Sequence, residues 1–105
     1  MSSNQPISEQ YRTQAKQWVR MDAAARMLEE GKTTYLAQRM ADLGDIAVSK
    51  AEKTVKASPQ WADYIKKMVN AKTAANEARI EIEYLKMRSM EHQSFEATRR
   101  AEMKL

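Results

Sequence analysis

Apolar residues recur along this chain at helical spacing, and almost nowhere at the alternation a strand needs. Between Glu9 and Glu30 they fall at Tyr11, Ala15, Trp18, Val19, Met21, Ala25 and Leu28. That loose stripe predicts a first helix. Ser8 stands where an N-cap would, and Gly31 where left-handed backbone would end the helix. Tyr35, Leu36, Met40 and Leu43 give a face to a second helix over about 33–43, with Gly44 as its stop. The segment "DIAV" has no helical pattern and predicts a connector. "SKAEKTVKA" sets Ser49 three residues before Glu52, the spacing of a capping box, and predicts a short helix over 49–56.

Ser58-Pro59 is the sharpest boundary. Serine is a favoured cap, and proline at the first helical position loses no hydrogen bond. From there to Lys104 the chain has no further Gly or Pro, which predicts one helix over 59–104, roughly 65–70 Å long. With Trp61 at heptad position a, the a series is Trp61, Met68, Ala75 and Ile82. The d series is Tyr64, Ala71, Ala78 and Leu85. Every position is apolar, which marks a helix-pairing seam. Past Leu85 the register meets Ser89, His92, Glu96 and Arg99. A second stripe follows at Met87, Met90, Ser94, Ala97 and Ala101. The helix is therefore expected to change its contact face or its partner near residue 86.

Composition agrees. Two Gly and two Pro in 105 residues leave too few turn residues for a sheet. The fold class expected is all-α: a helical hairpin or small bundle with one long C-terminal helix and coiled-coil-like pairing. Residues 1–7 are expected as a disordered lead and 8–105 as a single helical domain. The apolar total of 43% leans on Ala and Met, so the core should be thin and a homo-oligomer is expected.

Charge adds a location. The net charge is +4. Residues 1–46 and 73–105 each hold six basic and six acidic side chains. Residues 47–72 hold Lys50, Lys53, Lys56, Lys66, Lys67 and Lys72 against Glu52 and Asp63. The whole surplus lies in that window. Lysine suits phosphate better than base edges. These six are the candidate nucleic-acid-binding residues, with single-stranded nucleic acid as the expected partner. An acidic protein is the competing partner for the same cluster. Trp61 and Tyr64 lie between the lysines and could stack on bases, but their a and d positions favour packing.

Other chemistry is poorly supported. His92 with Glu96 one turn on could form an acid–base couple, but a surface contact is the simpler account. Glu77, Glu81 and Glu83 lack the second half of a metal-ligand set. Cysteine is absent and His92 is the lone histidine, which argues against a metal site. No Gly-rich phosphate loop or nucleophile motif occurs. The expectation is a non-enzyme without cofactor or metal. No apolar run reaches membrane-spanning length, and "MSSNQPISEQ" lacks the basic and apolar regions of a signal peptide. A cytoplasmic protein that does not engage membranes is expected.

The run from "VSKAEKTVKASPQW" to the C-terminus resembles small phage and prophage proteins whose genes tend to accompany recombination and single-strand-binding genes. In layout it also resembles the recombination mediator proteins of T-even-type phages. There a Trp/Tyr-bearing segment leads into a basic, Ala-containing helix and a Tyr-bearing stretch. The matching pieces here are Trp61 and Tyr64, then Lys66, Lys67, Lys72 and Arg79, then Tyr84. The resemblance implies strand contact by Lys66, Lys67 and Lys72, oligomerisation, and a recombinase as protein partner, in host cytoplasm. "YRTQAKQWVRMDAAARMLEEG" has no counterpart in that family. The function expected is a non-catalytic single-stranded DNA-binding accessory to recombination or annealing. The alternative is a helical adaptor or inhibitor, of the phage counter-defence type, docking on a host protein.

Overall fold

The computed structural model describes residues 5–104; the expected lead falls partly on residues 1–4, outside the described residues. Three helices make up the described fold: α1 (Ile7–Asp42), α2 (Val48–Lys56) and α3 (Pro59–Met103). α1 and α3 pack along each other as an extended hairpin with α2 at its closed end, in a particle of 84 × 21 × 17 Å. The fold is all-α, with the long C-terminal helix laid against the first.

α1 is one helix, not two. The sequence pattern predicts a stop at Gly31, but the helix runs through Gly31 to Asp42. The reason lies across the seam. The Tyr64 hydroxyl donates to the Leu28 carbonyl. A Cβ at Gly31 would sit 3.1 Å from that hydroxyl oxygen. Glycine is here to make room, and helix-forming neighbours carry the backbone through. Alanine there would raise helix propensity by about 1 kcal/mol but crowd Tyr64. Gly31→Ala is therefore expected to stabilise the Tyr64→Phe protein by about that amount and to give no gain with Tyr64 present. Thermal unfolding of the double-mutant cycle measures the difference.

The ends also differ from expectation. Ser8 lies inside the first turn; the cap residue of α1 is Pro6, which makes no side-chain cap bond. The Pro6 carbonyl instead accepts from the backbone N–H groups of Glu9 and Gln10 at 3.0 and 3.1 Å. The buried Gln10 side chain donates to the Gln5 carbonyl at 2.8 Å, which ties down the entering stretch of chain. Gly44 is the true stop, with φ at +83°. α2 starts one residue before Ser49, with Ala47 as cap, so no Ser49–Glu52 capping box forms. At α3 the Ser58 hydroxyl accepts from the Trp61 N–H at 3.2 Å, with Pro59 at the first helical position.

The core is thin and mostly alanine: Ala25, Ala51, Val55, Ala75, Ala78, Ile82 and Leu85 are buried. The eight seam positions of α3 grade from half-buried at Trp61, Tyr64, Met68 and Ala71 to buried at Ala75, Ala78, Ile82 and Leu85. Small residues let the two backbones approach. The partner of this seam is α1 of the same chain, so the seam itself does not call for a second copy. It ends at Leu85 because α1 runs out. Ile7 and Ser8 lie against Leu85, Ser89 and Met90, and α3 continues past them. From residue 91 to 104 every side chain is exposed except half-buried Glu96.

Candidate nucleic-acid interface

The closed end of the hairpin collects the basic window. α2 turns Ala51 and Val55 inward. At about 100° per residue, Lys50, Lys53 and Lys56 then fan over its outer face, and all three are exposed. Lys56 is the least available of them. Its ammonium lies 2.7 Å from the Glu52 carboxylate, one turn back. The Lys56 hydrogen bond, and then its charge, hold the Glu52 carboxyl below the ordinary glutamate range.

The α3 lysines do not form a single face. Lys66 and Lys67 point about 100° apart, and Lys67 and Lys72 about 140° apart on opposite flanks of the seam. Lys72 reaches across to Glu29 at 3.2 Å. Among the described residues, no ion pair forms with Lys50, Lys53, Lys66 or Lys67. The six candidates therefore divide: Lys50 and Lys53 stand together on α2 without acidic partners, Lys56 and Lys72 are engaged, and Lys66 and Lys67 diverge.

The aromatic residues are committed to each other. Tyr35 of α1 joins Trp61 and Tyr64 of α3 in a cluster of near-parallel rings. Tyr35 lies 4.5 Å from Tyr64 and 6.3 Å from Trp61, centroid to centroid. Trp61 and Tyr64 are 6.3 Å apart. The Lys32 ammonium sits 5.9 Å from the Trp61 ring, and the Arg39 guanidinium 5.3 Å from the Tyr35 ring. Ring faces used in this way hold α1 and α3 in register and offer little platform for bases.

No protein-family model, no curated protein and no solved structure matches the chain. The site therefore rests on its own residues.

Lys32, Tyr35 and Arg39 were missed from sequence. They sit in the charge-balanced first half, and only the pairing of α1 with α3 brings them to the closed end. Tyr35 and Arg39 are spaced i,i+4 on a helix, the one local hint available. His92, Glu91, Glu77, Glu81 and Glu83 are exposed on α3. Among the described residues, no group of three or more acidic or histidine side chains converges as a metal site would require. Among the same residues, no helix is long and apolar enough to cross a membrane.

Proposed function

We propose that this protein is a non-catalytic accessory that holds single-stranded DNA against the closed end of its hairpin, in support of recombination or strand annealing. One observation carries this reading. The surplus of +4 falls on residues 47–72, and Lys50 and Lys53 stand on α2 with no acidic partner among the described residues. Lys32 adds positive charge at the same end, whereas Arg39 is paired with Asp42 at 3.6 Å. Lysines that meet phosphates displace counterions, and no base-specific contact is needed. The resemblance to phage recombination mediators supports the strand over an acidic protein as the polyanion. The aromatic cluster is assigned to packing, so the contact is electrostatic and tolerant of sequence.

The test is a salt titration of a labelled single-stranded oligonucleotide by fluorescence anisotropy. Binding is expected at low salt, with the logarithm of the affinity falling linearly against the logarithm of salt by about 0.7 per phosphate contact. Two or three contacts give a slope of roughly −1.5 to −2. No binding at low salt, or binding that salt leaves unchanged, would sink the proposal.

A further inference from the structure

α3 carries a second heptad seam on the side facing away from α1. One series, at position a of its own register, is Thr73, Ile80, Met87, Ser94 and Ala101. The other, at position d, is Val69, Asn76, Glu83, Met90 and Ala97. Steps of four and three alternate without interruption from Val69 to Ala101, and Glu83 is the only charged member. Thr73, Asn76 and Ser94 are small and polar, and the remaining members are apolar. Every member is exposed. The large apolar ones are well exposed: Val69 at 50%, Ile80 at 60%, Met87 at 60% and Met90 at 67%. The stripe at Met87–Ala101 is the more apolar end of this outer seam, and it continues past Leu85, where the α1 seam ends.

The flanks of this seam identify what covers it. One flank reads Lys72, Arg79, Lys86, Gln93 and Arg100, and the other reads Glu77, Tyr84, Glu91 and Thr98. In a parallel pair of helices, a residue on the first flank meets the residue five further on along the second flank of its partner. Lys72, which reaches Glu29 within its own chain, then exchanges that contact for Glu77 of the second copy, Arg79 meets Tyr84, and Lys86, whose ammonium lies 6.0 Å from the Tyr11 ring of α1, swings outward to Glu91. In an antiparallel pair like flanks would face, basic against basic and acidic against acidic, which is unfavourable. We infer that the outer face of α3 pairs in parallel and in register with a second copy of this chain.

Two further observations fit. α3 projects past the start of α1 by a dozen exposed residues, and so short a helical extension draws little stability from propensity alone. A second α3 alongside supplies the missing packing. The polar members of the seam also suit a specified register rather than a maximally stable pair. In register, Asn76 faces its own copy and the two amides can bond each other, whereas a one-heptad slip sets one Asn76 against Val69 and the other against Glu83 and loses that bond. In register Glu83 also faces its own copy, a like-charge contact that Arg79 and Lys86, about one turn away on the same helix, partly offset. Parallel pairing also brings the two closed ends, with their α2 lysines, to one end of the dimer. The pairing does not depend on strand binding, and the variants below leave α2 untouched.

The test is sedimentation equilibrium on the full chain. The native protein is expected to dimerise. Lys86→Glu and Glu91→Lys are each expected to weaken the dimer by about tenfold or more, because two attractive pairs become repulsive. Mixing the two variants restores both pairs, so the mixture is expected to dimerise as the native chain does. That recovery separates pairing from simple misfolding. The chain has no cysteine, so Thr73→Cys and Ser94→Cys, tested separately, report the geometry. Oxidation is expected to link both into dimers, since in-register parallel pairing sets each position opposite itself. A native monomer at all soluble concentrations, variants that dimerise normally, a mixture that does not recover, or cross-linking at only one of the two positions overturns the inference.

Discussion

Leu85→Ala is expected to destabilise the hairpin by about 2–3 kcal/mol, the lower part of the range for deleting a buried leucine side chain. Leu85 is only 2% exposed, the least of the buried core residues. It is also the last large side chain of the seam before α1 ends. A shallow cleft bounded by Ile7, Tyr11 and Met90 already adjoins it, so neighbours can relax into part of the space. The rest of the loss remains. Domains of this size have roughly 5–15 kcal/mol in total, and a core made largely of alanine belongs near the bottom of that range. The midpoint of urea unfolding, followed by circular dichroism at low protein concentration, is expected to fall by about 1–2 M.

Met87→Ala is the control for that experiment. Met87 is two residues further along the same helix but faces outward. Its truncation is expected to leave the isolated hairpin within about 0.5 kcal/mol of native, as for an ordinary surface change. Equal losses at Leu85 and Met87 would mean that α3 is not divided into an inner and an outer seam.

Much of this architecture was legible because it is written at short range. The scarcity of Gly and Pro, the Ser58-Pro59 boundary and the α3 heptads are all properties of neighbouring residues. The misreadings arose where a distant residue decides the outcome. Gly31 looks like a helix stop in isolation, and only the arrival of Tyr64 explains its presence inside a helix. Tyr35, Lys32 and Arg39 join the closed end because α1 lies antiparallel to α3 in a register that no local spacing specifies. The second α3 seam was visible only from Met87 onward. Upstream it is diluted by Thr73, Asn76 and Glu83, and it overlaps the stronger α1 seam. Exposure separates the two. The lysine window was easy to count along the chain, but its division into facing, engaged and diverging side chains depends on helix phase and on Glu29, 43 residues from Lys72.

That division gives the second large effect. Reversing Lys50 and Lys53 together to Glu is expected to lower single-strand affinity by more than tenfold at low salt, and to flatten the salt slope by about 1.4, or 0.7 for each lost phosphate contact. The pair is chosen because both lysines project from the outer face of α2 without an acidic partner, so each change alters the charge met by the strand and nothing in the core. Reversing Lys66 and Lys67 makes the same change in net charge. Their side chains point about 100° apart, so a single strand can meet only one of them, and the slope is expected to flatten by about 0.7. The comparison holds total charge constant and varies only where it sits. If general positive charge were all that mattered, the two double variants would behave alike. If Lys66 and Lys67 proved the costlier pair, the strand would lie along α3, as the resemblance to recombination mediators implies, and the α2 face would lose its assignment.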